Sequence, residues 1–315
     1  MSKQPSRRPA PKRRPQARKG RTVVAAHTAG KRSDRTSWIL AGVVIAIGVA
    51  LVVVFAGASK KKFTGTDFFK GDKPASSALV SKIIGVPQKT LTAVGKGSVT
   101  GLPIKLPGTT PLATADGKPR IVYLGAEYCP FCAAERWGMV QALSRFGTFK
   151  NLQITRSAVT APSGAGETDP NTPTLSFHGS SYTSSYIQFE PVEQEDNSYK
   201  ALETPSKEQG TLLSTYDVAK YTGSSDSGAI PFVDFANEYM ISGASYDPGV
   251  LKDKTHDQVG AALADPSSDI SQGAIGTANV FAATVCKVTG NKPAKVCGDS
   301  AIKAIQAQLP TKPLG

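Results

Sequence analysis

Two cysteines, Cys129 and Cys132, stand two residues apart in the run Cys129-Pro130-Phe131-Cys132. Thiols at this spacing can close a small disulfide ring at the start of a helix, and the thiolate is the reactive form. The flanking sequence supplies such a start. Ile121 to Leu124, after the turn residues Asp116-Gly117-Lys118-Pro119, reads as a buried strand. From Pro130 to Phe146 the pattern is helical, with Trp137, Val140 and Leu143 on one face and Gly147 as the stop. Cys129 then occupies the helix N-terminus, where free backbone N–H groups and the helix dipole favour a thiolate. Pro130 suits the first turn. Cys129 is therefore expected to be the exposed nucleophile and Cys132 the buried, resolving thiol. Such a pair exchanges disulfides through a mixed disulfide and needs no cofactor.

Other chemistries fit the same residues. A C-x-x-C can be a structural pair, or half of a zinc site completed by the distant Cys286 and Cys297. No His follows Cys132, which disfavours c-type haem attachment. Cys286 and Cys297 flank the turn Thr289-Gly290-Asn291-Lys292-Pro293. They read as a structural disulfide tying two terminal helices, with a second redox pair as the alternative. His27, His178 and His256 have no partner at ligand spacing and read as surface or capping residues. No metal is expected.

The elements around the pair follow from pattern. A short helix is expected over residues 75–84. Residues 152–159 read as a strand completing a βαβ unit with 121–124 and the helix between them. Residues 161–174 read as loop, and 176–177 and 186–192 as short strands. A helix over 204–221 opens on the Ser206/Gln209 capping box, and one over 255–263 on Thr255/Gln258. Residues 232–236 and 239–242 form a hairpin across Asn237-Glu238. An Ala-rich helix up to Cys286 and a last helix over 300–309 close the chain.

The net charge of +13 looks like that of a nucleic-acid binder, but its placement argues against a basic nucleic-acid-binding fold. Residues 1–36 hold twelve Lys and Arg against the single acid Asp34, so the rest of the chain carries only +2. A tail so rich in Pro, Arg and Lys reads as disordered. Residues 37–59 contain no charge, and Trp38 to Ala58 is long enough to cross a bilayer as a helix. A cleaved signal peptide is the rival, since Ala56-Gly57-Ala58 resembles a cleavage site. The long apolar stretch and long basic tail favour a retained anchor, with the tail cytoplasmic by the positive-inside rule.

Gly117-Lys118-Pro119, the following strand, the C-x-x-C and Ile230-Pro231 before the strand Phe232-Val233-Asp234-Phe235 together resemble the thioredoxin superfamily. The block Gly125-Ala126-Glu127-Tyr128-Cys129-Pro130-Phe131-Cys132-Ala133-Ala134-Glu135-Arg136-Trp137 is similar to a family of membrane-anchored thioredoxin-like proteins of actinobacteria and some archaea. Ile230 to Asp234 and the Cys286/Cys297 ending share that likeness, which runs from about Lys118 to the C-terminus. It implies a cis-proline loop at Ile230-Pro231 facing the C-x-x-C, and supplies no substrate. Departures are visible. Tyr128 stands where thioredoxins carry Trp before the first Cys, and Tyr123 stands where they carry a buried acid. Glu127, Glu135 or water would then accept the proton.

The expected fold is α/β: a thioredoxin-like fold with an insertion and a C-terminal helical extension, preceded by a single transmembrane helix. Its parts are a disordered cytoplasmic tail (1–36), the span (37–59) and a linker and approach segment without a core of its own (60–117). The thioredoxin-like domain (118–265, insertion at about 161–204) and disulfide-linked helices (266–315) follow. The expected function is a membrane-anchored, extracytoplasmic thiol–disulfide oxidoreductase acting on envelope protein thiols or disulfides. Cys129, Cys132 and Pro231 would be catalytic, and Glu127, Tyr128, Pro130, Phe131 and Ile230 supporting. Expected partners are envelope proteins with cysteines, a redox recycling partner, and membrane lipid through the anchor, with no nucleic acid. A non-catalytic thioredoxin-like interaction module with a structural C-x-x-C is the alternative.

Overall fold

The computed structural model describes residues 70–108, 110–223 and 227–313. The basic tail and the uncharged span 37–59 lie outside them. Among the described residues, no helix is long and apolar enough to cross a membrane. In chain order the elements are β1 (Lys73–Pro74), α1 (Ser77–Ile84), α2 (Gln88–Val94), β2 (Ile104–Lys105), β3 (Arg120–Gly125), α3 (Pro130–Leu143), β4 (Gly147–Lys150), β5 (Gln153–Arg156), β6 (Pro173–Ser176), β7 (Ser181–Ser184) and β8 (Gln188–Glu193). There follow α4 (Lys207–Tyr216), α5 (Ala219–Thr222), β9 (Phe232–Phe235), β10 (Tyr239–Ser242), a 3-10 turn (Pro248–Leu251), α6 (His256–Ala262), α7 (Asp269–Val288), α8 (Ala294–Cys297) and α9 (Ser300–Gln306).

The result is a mixed α/β domain around a five-stranded mixed sheet in the order β2-β10-β9-β3-β8. β3 runs parallel to β8 and antiparallel to β9. The sheet is packed on both faces, which is why Ile121 to Leu124 is apolar without alternation. Ile121 and Tyr123 point into the larger core, with α1, α2, α3 and α7. Val122 and Leu124 point into a smaller one with Phe232, Met240 and the α4–α5 side chains Leu212, Tyr216 and Tyr221.

α3 carries the C-x-x-C and is buried at every position but Phe131. That exceeds the single apolar face its sequence suggested, and it means that Glu135, Arg136 and Gln141 are buried too. α7, the longest helix among the described residues, packs along it. A Cβ on Gly138 would lie 2.6 Å from Thr277 Cγ2 and 2.9 Å from Ala274 O, so a glycine is needed for the two helices to approach this closely.

The sheet corrects the expected topology. The parallel partner of β3 is β8, not the 152–159 strand. That segment shortens to β5, which pairs antiparallel with β1 and β6 in a separate three-stranded sheet. The segment inserted between α3 and its sheet partner is therefore 144–187, and the 161–204 range expected as an insertion contains the sheet strand β8. The 204–221 helix is two, because the chain leaves helical geometry at Asp217 and Val218. The approach segment is no bare linker: Leu79, Ile83, Leu91, Val94 and Val99 are buried in the main core. Helix α2 went unforeseen. His256 is also not at the surface. It is buried, with Nε2 at 2.8 Å from Thr155 O and 3.0 Å from Thr174 O, bridging two strands of the small sheet.

Both capping boxes form as read, at Ser206/Gln209 and Thr255/Gln258. The hairpin turns at Ala236 and Asn237, both at positive φ. Cys286 and Cys297 are disulfide-bonded, Cα to Cα 5.5 Å, and join the end of α7 to α8. Replacing both by Ala is expected to cost about 3 kcal/mol by the chain-entropy model. Urea unfolding would read this as a lower midpoint. An unchanged midpoint would show that the bond stabilises nothing.

Candidate functional site

Cys129 is the N-cap of α3, and Pro130 takes the first helical position. The two thiols are free, and their surroundings make them unequal. The Cys132 backbone N–H donates to Cys129 Sγ at 3.4 Å. Interaction with the Cys132 thiol holds the Cys129 pKa below the ordinary thiol value, against the opposing effect of burial. The backbone N–H groups of Cys132 and Phe131 and the Arg136 charge add to the lowering. Burial pushes Cys132 well above that value, and its proximity to Cys129 raises it further. The asymmetry expected from helix position is present, with one difference: Cys129 is not exposed. Only 5% of it reaches solvent, against none of Cys132.

Two loops flank the Cys129 thiol. From β9's side comes Ile230-Pro231, whose peptide bond is cis. The Ile230 carbonyl accepts from Cys129 Sγ at 3.7 Å. Asp217 ties this loop down. Its carboxylate accepts from the Ala229 backbone N–H and, at 2.5 Å, from Ser242 Oγ, while its own carbonyl accepts from Gly228 N–H at 3.1 Å. On the other side Tyr128 stacks on Tyr199, ring centroids 4.2 Å apart. The Tyr199 hydroxyl donates to Glu167. Burial and the neighbouring Cys129 raise the Tyr128 phenol to about 12, so it serves as a neutral platform. Phe131, between the thiols, is 42% exposed and is the apolar surface of the site.

Behind Cys132 lies a buried charge pair that the sequence did not reveal. Arg136, four residues on and on the same helix face, is fully buried. Its Nε donates to Glu193 Oε1 at 2.8 Å, and its Nη2 donates to Glu193 Oε2 at 2.6 Å and to Ala126 O at 2.7 Å. Burial opposes the Arg136 charge, but Glu193 outweighs it and keeps the guanidinium ionised. The Tyr123 hydroxyl and Arg136 Nη1 are buried with no hydrogen-bond partner. Tyr123 lies where an acid was missed, and burial holds its phenol well above 10, so it is no base. Its hydroxyl lies over Gly125, where a Cβ would fall 2.0 Å away; glycine leaves it that space.

The two glutamates weighed as replacement acids are both buried, in different surroundings. Glu127 accepts from Ser176 Oγ at 2.6 Å and Thr155 Oγ1 at 3.4 Å. Burial and the neighbouring Asp72 raise it to about 8. Glu135 accepts from the Ser245 backbone N–H at 2.9 Å and Ser245 Oγ at 3.0 Å, and burial raises it to about 7. A carboxyl that ionises at 4.5 when unfolded and near 7 when folded stabilises fully below 4.5 and loses that contribution as pH rises to 7. Unfolding free energy should therefore fall between pH 5 and 8. Glu135→Gln should remove up to about 3 kcal/mol of that fall. Urea midpoints at the two pH values test this; an unchanged difference between them would contradict it.

Among the described residues, no group of three or more His, Cys, Asp or Glu is placed to hold a metal ion. His178 instead pairs with Glu203 at 2.8 Å.

A family model described as a domain of unknown function (DUF929) matches residues 109–287, more than half of the chain, and the chain belongs to that family. No curated protein and no solved structure matches it.

Proposed function

We propose that this member of the DUF929 family is a thiol–disulfide oxidoreductase with Cys129 as nucleophile and Cys132 as resolving thiol. The observation that carries it is the pair of unequal thiols at the start of α3, with Cys129 Sγ held between the Cys132 N–H and the Ile230 carbonyl. The strand order supports the same reading. β8-β3-β9-β10, with the C-x-x-C after β3 and Pro231 just before β9, agrees with the thioredoxin-like fold that the sequence resembles.

The Cys129 thiolate attacks one sulfur of a substrate disulfide. A Cys129–substrate S–S bond forms, the substrate S–S bond breaks, and the departing sulfur takes a proton. Cys132 loses its proton and attacks Cys129 Sγ. The Cys129–Cys132 disulfide forms and the second substrate thiol leaves. The substrate gains two electrons and the pair loses two, to be restored by a dithiol recycling partner. The reverse sequence oxidises a substrate dithiol, and the potential of the pair sets the direction. With the uncharged span 37–59 as anchor, the domain would act outside the cytoplasm on envelope proteins with cysteines. Membrane lipid would be met through the anchor alone, and nucleic acid would have no part.

Differential alkylation tests the assignment. Cys129 is expected to react at least about tenfold faster than Cys132 near neutral pH, because it has the larger thiolate fraction and the greater access. Equal rates, or faster reaction at Cys132, would overturn it. The near-complete covering of Cys129 favours one other reading, a binding module whose C-x-x-C is a staple. The two differ in whether the pair equilibrates with a redox buffer.

A further inference from the structure

Two large apolar side chains are exposed among the described residues, Phe131 and Ile84. Phe131 marks the thiol site. Ile84 lies elsewhere, on the wall of a cavity of about 300 Å³ formed where α1, α2, the end of α3, α8 and α9 meet. The volume is at the lower end of that of small-molecule sites. Val86, Leu91, Val296 and Ile302 give it further apolar lining.

Arg145, just past the end of α3, also lines this cavity. Its Nε and Nη2 donate to Gln141 Oε1 at 2.9 and 2.5 Å, and Nη2 donates to Asn279 Oδ1 at 3.0 Å. Both partners are neutral. Among the described residues, no carboxylate lies within ion-pair distance of the guanidinium and no hydrogen bond is made by Nη1. Its hydrogen bonds among the described residues go to side chains and not to the last carbonyls of α3. Burial lowers it from 12.5 to about 10, with Asp299 the one acid acting on it. Asp299 is already occupied: Oδ1 accepts from the Ala301 and Ile302 N–H groups and Oδ2 from Gln88 Nε2 at 2.8 Å. With Lys295 on the same wall, two cations face one acid. A half-buried guanidinium whose hydrogen-bond partners among the described residues are neutral amides favours an anion, and the aliphatic walls favour a carbon chain attached to it.

We propose that this cavity is a binding site for a small organic monoanion, a carboxylate bearing a short apolar chain, with Arg145 Nη1 receiving the carboxylate and Ile84, Val86 and Leu91 the chain. The site is separate from the thiols and stands or falls apart from the redox reading.

Hexanoate is the probe, titrated calorimetrically into the full chain in lipid nanodiscs, with empty nanodiscs as reference. One-to-one saturable binding is expected, at least about tenfold weaker for Arg145→Gln and for hexanol in place of hexanoate. Lys295→Gln, on an exposed side chain, should weaken it about threefold. Arg145→Lys keeps the charge and should retain measurable binding. Circular dichroism checks each fold; if Arg145→Gln does not fold, Lys295→Gln and the hexanol comparison carry the test. Absence of saturable binding would overturn the proposal. So would equal affinity for hexanol, equal affinity for inorganic phosphate, or affinity unchanged in a folded Arg145→Gln or in Lys295→Gln.

Discussion

Cys132→Ser is expected to accumulate mixed disulfides at Cys129 when the full chain is expressed in its own cells. Attack still occurs, but no second thiol resolves the adduct. Trapped species should exceed those of the native chain by at least about tenfold, since resolution by a neighbouring thiol is lost entirely. Cys129→Ser should show only background, because the remaining thiol is fully buried and held protonated by that burial. Non-reducing electrophoresis followed by mass spectrometry identifies both the bridged cysteine and the captured proteins. Trapping through Cys132 rather than Cys129 would reverse the assigned roles. The captured proteins name the substrates, which nothing in the fold does.

The second large effect is expected at the Arg136–Glu193 pair. Both side chains are fully buried and bonded in bidentate fashion, so removing either leaves an uncompensated charge in the core. Arg136→Met should cost about 3–5 kcal/mol of stability. It should also move the alkylation profile of Cys129 to higher pH, because the guanidinium is one of the charges lowering that thiol. The double variant Arg136→Met/Glu193→Leu should recover most of the stability, since an apolar pair can replace a buried ion pair at little cost. It should not recover the profile. Recovery of both would reduce the pair to a packing element. No loss of stability in the single variant would refute its burial.

Much of the site was legible in the sequence because it is local. Strand, turn and helix place Cys129 and Cys132 within a dozen residues, and the order of the two in the helix settles which is the deeper. Pro231 was legible as a proline opening a hairpin. The capping boxes and the Cys286–Cys297 bond were read from spacings of three and eleven residues. What failed was long-range. β8 was not recognised as the partner of β3 because it carries Gln188, Glu190, Pro191 and Glu193, a poor apolar signal. It is an edge strand, where proline is tolerated and one flank pairs with Arg120, whose Nε donates to Glu190 Oε1 at 2.7 Å. Nothing local marks Arg136 as a buried ion-pair partner, because Glu193 stands fifty-seven residues away in the chain. The ring stack on Tyr128 and the tie of the Ile230-Pro231 loop depend on Tyr199 and on Asp217, and neither has a local pattern that announces it. The charged tail and the uncharged span were read from composition alone and lie outside the described residues.

On the proposed reading, Cys129 and Cys132 exchange electrons rather than staple the fold. Equilibrating the folded full chain across a series of glutathione ratios and counting the free thiols at each cysteine by quenched mass spectrometry tests it most directly. Exchange predicts that Cys129 and Cys132 interconvert together between dithiol and disulfide at a single midpoint within the buffered range, while Cys286 and Cys297 stay bonded. A pair that keeps one state at every ratio, changing only when the protein unfolds, would be a structural staple and not an exchanger.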